Sequence, residues 1–199
     1  MKEAKFQSVA QSVLSSLATH GLGSISHSRI SRLAKVSRPW IYKYVGKTKK
    51  DLIQFAVKSF GEGLVAIGGT PPQKDPEKLL EHFFANTWLI FEYAQKHPEV
   101  IQLYYRFMGT LNPIGEKIAE FEAQAMNAQA QAISTSFGIS KAEALLVSEM
   151  MITFRMGICF RFAHAKLSSR ADRKKLEVAM DRFFKHTSAV LQKKRALLG

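Results

Sequence analysis

Apolar residues recur at the spacing of an α-helix along most of the chain. The first stretch has apolar side chains three or four positions apart, at Phe6, Val9, Ala10, Val13, Leu14, Leu17 and Ala18. Such spacing gathers the side chains on one face of a helix. The alternation with a period of two and the Asn-Gly or Asp-Gly turns that indicate strands are absent. The pattern therefore predicts an all-α protein.

Glycine and proline clusters divide this pattern into about nine helices. Two short helices are predicted at 27–34 and 38–45, and a longer helix at 49–67. The other long helices are predicted at 77–96, 98–111, 113–137, 140–167 and 170–197. The richest cluster, at 68–76, marks a domain boundary. It separates an N-terminal domain (1–50) and its connecting helix (51–67) from a C-terminal domain (76–199).

Capping residues support the start of three helices. Ser26 and Ser37 stand where the two short helices would begin, and serine is a preferred N-cap. Thr48 and Asp51 have the spacing of a capping box, with Asp in place of the usual Glu. The third cap predicts that a longer helix begins directly after the second short one.

The distribution of charge changes the picture. The 199 residues carry a formal net charge of +13, of which residues 1–60 carry +9, residues 61–165 carry −3 and residues 166–199 carry +7. A basic head on a nearly neutral body is typical of nucleic-acid-binding proteins. A surface that is merely solubilising is the alternative.

The two short helices and the three residues between them predict a helix-turn-helix, in which the second helix enters the major groove of DNA. The stretch 29–50 contains eight Lys or Arg residues and no acid. Helical hairpins also occur in proteins that bind no DNA, and the run of positive charge is what favours DNA binding here. Double-stranded DNA is therefore the expected partner.

A helical wheel assigns roles within the second short helix. Ile41 and Val45 share the inward face. Arg38 and Lys43 then point outward, where they can donate to guanine O6 and N7. We expect Pro39 and an exposed Trp40 to offer apolar surface to thymine methyl groups. Lys47, Lys49 and Lys50 are expected to contact phosphates. Tyr42 and Tyr44 are expected to do the same, unless they pack half-buried under the helix. The predicted DNA-binding residues are Ser28, Arg29, Ser37, Arg38, Pro39, Trp40, Tyr42, Lys43, Tyr44, Lys47 and Lys49.

The segment from about residue 5 to residue 60 resembles the DNA-binding domain of the tetracycline-repressor (TetR) family. The residues that fall on the family pattern are Ile30, Ala34, Val36, Ser37, Tyr42, Tyr44, Lys49 and Leu52. Three features depart from it: Lys35 replaces the turn glycine, Val45 replaces a phenylalanine, and the stretch 46–48 is one residue longer. The resemblance implies an all-helical C-terminal domain that binds a small-molecule effector, and a homodimer formed by the last two helices.

The last two predicted helices carry the apolar residues that such a dimer needs. A homodimer has two DNA-binding domains, one for each half-site of a palindromic operator. A monomeric bundle is the alternative. The predicted dimer interface consists of Phe154, Ile158, Phe162, Leu176, Met180, Phe183, Phe184 and Val190.

The C-terminal domain is also rich in methionine and aromatic residues, which suit either an adaptable pocket or a plain core. Ionisable residues within apolar runs favour the pocket. The predicted pocket consists of Trp88, Phe91, Tyr104, Met108, Phe121, Met126 and Met151, with Arg155 as its polar anchor. Arg155 could instead form a structural ion pair with Glu149 or Glu92.

The sequence contains few motifs that are typical of enzymes. The six histidines have no zinc-binding spacing, and no glycine-rich nucleotide loop occurs. Cys159 lies in an apolar run and is expected to be inert. We therefore expect no catalytic residue, no metal and no cofactor.

Apolar stretches and cysteine content also indicate where in the cell the protein is expected. The most apolar stretch, 144–165, contains Glu149, Arg155 and Arg161, so no membrane span is expected. No signal peptide is apparent, and a single cysteine fits a cytoplasmic protein.

The sequence thus predicts a ligand-responsive DNA-binding regulator, a repressor that a small apolar or aromatic effector releases from DNA. The alternative is a basic helical protein that binds RNA or anionic membrane surfaces without sequence specificity.

Overall fold

The computed structural model describes residues 2–68, 74–163 and 170–198, and these residues form α-helices joined by short turns. The helices are α1 (Lys2–His20), α2 (His27–Ala34), α3 (Arg38–Tyr44), α4 (Lys49–Gly68), α5 (Pro76–Lys96), α6 (Pro98–Phe107), α7 (Pro113–Phe137), α8 (Lys141–Ala163) and α9 (Arg170–Leu198). No strand occurs within these ranges, so the predicted all-α class is confirmed. Part of the predicted boundary at 68–76 and the end of the predicted helix 140–167 lie outside the described residues.

Helix α6 is shorter than predicted. It ends at Phe107, four residues before the predicted end, because Met108 is extended and Gly109 has a φ of 71°. The side chain of Asn112 then caps α7 by accepting a hydrogen bond from the backbone N–H of Ile114 at 2.9 Å. Glycine and asparagine are typical of such helix boundaries, and here they stop the helix before its apolar pattern ends.

The first compact unit contains the chain up to Ala66 together with His97–Phe121. Its core includes the fully buried side chains of Leu17, Ile30, Ile41 and Leu52, from α1 to α4. Helix α6 packs against α1, and the Arg106 guanidinium donates to the carbonyl oxygen of Ala18 at 2.9 Å. The sequence analysis had placed 97–121 in the C-terminal domain, whereas the contacts of the chain place it in this unit.

The second compact unit comprises Ile67–Lys96 and Glu122–Gly199. Helix α5 packs against α8 and α9. The centre of its core contains Phe83 from α5, Ile133 and Phe137 from α7, and Met151 from α8, each almost completely buried. An ion pair between Glu143 and Lys194 joins α8 to α9 at the surface.

Candidate nucleic-acid interface

Helices α2 and α3 form a helix-turn-helix with the predicted bounds at all but one residue. The Ser26 hydroxyl accepts a hydrogen bond from the backbone N–H of Arg29 at 3.3 Å and caps α2. Ser37 occupies the N-cap position of α3, but its hydroxyl makes no capping hydrogen bond. Between the helices, Lys35 adopts the left-handed conformation at φ 53°. The turn therefore keeps the conformation that the glycine of the TetR pattern would favour, at a cost of about 1 kcal/mol.

Ten of the eleven predicted DNA-binding residues are side chains of α2, α3 and the turns that flank them, and Lys49 begins α4. All except Arg29 and Trp40 are exposed. The guanidinium of Arg38 donates to the Ser28 hydroxyl at 3.2 Å, which joins the first turns of α2 and α3. Lys43 lies one turn further along α3 and is exposed. Arg38 and Lys43 are thus both accessible to solvent, five positions apart on α3.

Trp40 is not exposed as predicted. Its indole is half-buried and packs 5.0 Å, between ring centres, from Phe6 of α1. The helical wheel placed Trp40 opposite Ile41 but could not show that α1 lies on that side of α3. Trp40 therefore supports α3 from within this unit, and its role in contacting thymine methyl groups is not supported.

The N-terminal end of α1 brings basic residues to α3 that the sequence analysis missed. The Lys2 ammonium lies 4.5 Å from the centre of the Tyr44 ring, and the Lys5 ammonium lies 5.8 Å from the centre of the Trp40 ring. Tyr44 itself is exposed, as is Tyr42. The sequence signal was the apolar stripe of α1, but it gave no indication that this end of α1 would meet α3. The exposed basic surface therefore extends beyond the helix-turn-helix.

A short turn connects α3 to α4. Gly46 has a φ of 147°, and a Cβ at this position would overlap the Asp51 side chain. The Asp51 carboxylate accepts hydrogen bonds from the backbone N–H groups of Lys47 and Thr48 at 2.9 and 2.8 Å. The Thr48 hydroxyl in turn accepts one from the backbone N–H of Asp51 at 3.1 Å. The predicted capping box is confirmed, and it fixes the backbone that presents Lys47.

The capping box makes this turn sensitive to acid. The backbone N–H of Thr48 is the main cause that holds the pKa of the Asp51 carboxyl below its ordinary value. A lowered folded-state pKa gives stability that is complete above the unfolded value and is lost as the pH falls through the folded value. We expect Asp51→Ala to lower the protection factor of the Thr48 amide several-fold near neutral pH. Acid that protonates Asp51, below its lowered folded-state pKa, is expected to lower this protection factor in the unmodified protein as well. Thr48→Ser retains the hydroxyl and serves as the control. Unchanged exchange in Asp51→Ala would contradict this role.

The predicted pocket residues divide between the two compact units. Tyr104, Met108 and Phe121 belong to the first unit, where Met108 is exposed. The second unit contains Trp88, Phe91, Met126, Met151 and Arg155. There the rings of Trp88 and Phe91 stack with their centres 5.5 Å apart, and Met151 is part of the core.

Arg155 is buried in the second unit without either of its expected acidic partners. Its Nε donates to the Thr87 hydroxyl at 3.3 Å. Glu92 lies instead 3.7 Å from the guanidinium of Arg173, and Glu149 is exposed. The expected alternative, a structural ion pair of Arg155 with Glu92 or Glu149, is not formed.

The predicted dimer interface is wrong for part of its residues. Leu176, Met180 and Phe184 of α9 are buried within the protomer, so they cannot form a seam with a second copy. Ile158 of α8 is buried as well. The rings of Phe154 and Phe183 stack on each other with their centres 3.7 Å apart. Phe162 is half-buried, and Val190 remains exposed. The predicted interface residues of α8 and α9 are apolar, as expected, but helices of the same chain cover most of them.

The exposed apolar residues of α8 lie on the opposite face of that helix. Leu146, Met150 and Phe160 are 63%, 61% and 52% exposed, and Gly157 lies on the same face. An added Cβ at Gly157 would meet no atom within 4 Å. Helix α8 therefore has two apolar faces, one packed in the core of the second unit and one whose large side chains are more than half exposed.

Other chemistry receives no positive support among the described residues. No group of three His, Cys, Asp or Glu side chains there could hold a metal ion. Burial raises the pKa of the Cys159 thiol to about 12, which keeps it neutral and unreactive. None of the helices in the described ranges is both long and apolar enough to cross a membrane.

Comparison with known proteins gives a match in structure alone. No family model and no curated protein matches the sequence. A tetR-family transcriptional regulator from Streptomyces coelicolor superposes with a TM-score of 0.67 at 18% identity, covering 98% of this chain and 86% of that one.

Two further solved structures agree. A TetR family transcription regulator from Marinobacter aquaeolei VT8 superposes with a TM-score of 0.66 at 17% identity, covering 92% of this chain and 95% of that one. The fatty acid degradation regulator FadR from Bacillus halodurans gives a TM-score of 0.63 at 14% identity, covering 94% of both chains. The helix-turn-helix and the all-helical body thus belong together as one known architecture, and this chain has the fold of the TetR-family regulators.

Proposed function

We propose that this chain is a DNA-binding transcriptional regulator of the TetR family, and a repressor. The observation that carries the proposal is the exposed basic surface of the helix-turn-helix, where Arg38 begins α3, Lys43 lies in its last turn, and both side chains are exposed. No acidic residue occurs between Arg29 and Lys50 to oppose their charge. A surface of this kind fits the major groove, whose guanine edges accept hydrogen bonds.

The side chains divide into those that read bases and those that position the protein. Arg38 and Lys43 donate to base edges in the major groove. Lys47 and Lys49 lie beyond the end of α3, at the level of the phosphate backbone, and Lys50 follows them. Contacts to phosphates contribute affinity that depends on salt but not on sequence.

This division can be measured with two alanine variants. The operator is first selected from a random duplex library, and binding is then titrated on that operator and on a shuffled duplex. Lys43→Ala is expected to cost about 1–3 kcal/mol on the operator and little on the shuffled duplex. Lys49→Ala is expected to weaken both and to lower the salt slope by about one. Equal weakening of both duplexes by Lys43→Ala would contradict base reading, and a library that yields no preferred duplex would contradict the proposed function.

The proposed assembly is a homodimer that reads a palindromic operator with two heads. We propose that the two copies meet through the face of α8 on which Leu146, Met150, Gly157 and Phe160 are exposed. Large apolar side chains exposed in a row mark interaction sites. A second copy suits this face because an isologous contact pairs one apolar stripe with itself.

Regulation is proposed to come from a small, mostly apolar effector that binds the second unit and releases the repressor from DNA. The effector needs to bind the free form only about 10- to 100-fold more tightly than the DNA-bound form, since couplings of about 1–3 kcal/mol are typical. The buried Arg155 points to the chemistry of that effector.

A further inference from the structure

Arg155 is held firmly in the interior of the second unit. Only 5% of its surface is exposed. Its Nε donates to the Thr87 hydroxyl at 3.3 Å, and that hydroxyl donates to the backbone carbonyl of Phe83 at 2.8 Å. Thr87 thus uses both its acceptor and its donor. The hydroxyl fixes the orientation of the guanidinium but supplies no negative charge.

The charge of this guanidinium is uncompensated. Arg155 is the only buried charged residue in the part of the chain that the structure describes, and no carboxylate there forms an ion pair with it. Its Nη2 is buried and has no hydrogen-bond partner among the described residues. A buried charge is costly unless it is paired, so an anionic ligand that completes the pair would bind favourably at this position.

The immediate surroundings do not neutralise Arg155. Cys159 lies one helical turn away on the same side of α8, but its thiol is buried and neutral at physiological pH. Met151, one turn in the other direction, is part of the apolar core. Burial lowers the pKa of Arg155 to about 10, which still leaves the group charged near neutral pH. The site is therefore a single cation in apolar surroundings.

We propose that Nη2 of Arg155 binds the carboxylate of a small apolar monocarboxylic acid, which is the effector of this protein. The inference deepens the proposed function, on which the word effector rests. One buried cation balances one negative charge, so a monocarboxylate fits better than a phosphate dianion. Because Nε is engaged by Thr87, the carboxylate accepts from the Nη2 end of the guanidinium. The apolar remainder of the ligand lies among the side chains of the second unit.

Binding can be tested without knowing the natural ligand. The probes are benzoate, 2-naphthoate, octanoate and decanoate, each compared with its uncharged primary amide by thermal shift and calorimetry on the full chain. At least one carboxylate is expected to bind, and its amide to bind at least about tenfold more weakly, because hydrogen bonds to charged groups contribute about 1.5–3 kcal/mol. Failure of all four acids, or equal binding of acid and amide, would overturn the proposal.

Two arginine variants identify the anchor. Arg155→Met is expected to weaken binding of the preferred acid by about 10- to 100-fold. It is also expected to raise the melting temperature of the free protein, since it removes an unpaired buried charge. Arg161→Met removes an exposed arginine from the same helix and is the matched control. Unchanged binding in Arg155→Met, or an equal loss in Arg161→Met, would show that Arg155 is not the anchor.

Operator binding is measured separately, so that the two proposals can fail independently. Arg155→Met is expected to bind the selected operator as the unmodified protein does, but no longer to be released by the acid. If an acid binds through Arg155 but no duplex is preferred, the proposed ligand site stands and the proposed regulatory function is wrong. If an operator is preferred and the acid releases the unmodified protein and Arg155→Met from it equally, the proposed regulatory function stands and the proposed ligand site is wrong.

Discussion

If the proposed homodimer forms through α8, Gly157→Arg is expected to yield a monomer and to weaken the proposed operator binding strongly. Gly157 lies on the exposed apolar face of α8 and has open space around its Cα in the protomer. The first atom of an added side chain therefore meets no described neighbour, and the exposed position lets the rest of an arginine extend into solvent. In a dimer centred on this face, it would place a large charged side chain between the two copies, where it lacks a partner.

The expected result is a large loss in assembly with little loss in protomer folding. Sedimentation equilibrium should give about twice 22.4 kDa for the unmodified protein and 22.4 kDa for Gly157→Arg. Operator affinity should fall by about 100-fold or more, because a monomer binds one half-site and lacks the avidity of two linked DNA-binding domains. Ala128→Arg, at an exposed position of α7 in the same unit, is the matched control. A Gly157→Arg protein that stays dimeric would show that this face is not the interface.

A variant of Phe183, the position that the sequence first suggested, would not give so clear an answer. Its ring stacks on Phe154 within the protomer, so an acidic residue there would damage the second unit itself. Monomers or aggregates could then result from misfolding alone. Gly157 separates the two effects better, because a Cβ added there meets no atom of the described residues within 4 Å.

Features that depend on neighbours in the sequence could be predicted. The Ser26 cap and the Thr48–Asp51 box lie within three residues of the groups they bind, so their spacing sufficed. Lys35 in place of the turn glycine left the conformation of the turn open, and the left-handed φ of 53° shows that the turn keeps its form. Local hydrogen bonds of this kind decide where helices begin and end, and they largely defined the helix-turn-helix.

Features that depend on distant contacts could not be predicted. The wheel of α3 placed Trp40 opposite the core, but Phe6, more than 30 positions earlier, covers it. The apolar stripe of α9 indicated a buried face without indicating whether this chain or a second copy buries it. Thr87, which orients Arg155, is 68 residues away from it. The periodicity of one helix carries no information about the helix that packs on it.

Gly61→Leu is expected to lower the melting temperature by about 6–12 °C, from an overpacking cost of about 3 kcal/mol in a chain of this size. Gly61 is a buried residue of α4, and even a single Cβ at this position would overlap the ring of Phe121 on α7. Both residues belong to the first unit. A leucine can be accommodated only if the ring or one of the two helices moves, and differential scanning calorimetry would measure the loss.

The cause can be isolated by a second substitution at the same contact. Phe121→Ala alone leaves a cavity and destabilises, but combined with Gly61→Leu it provides the space that leucine needs. The double variant is therefore expected to be more stable than the two single losses predict, by about 0.5–3 kcal/mol. Ala119→Leu, at an exposed position of α7, controls for the added side chain alone. Additive losses would show that Gly61 and Phe121 are not in contact. Coupling would assign Phe121 to the packing of the first unit.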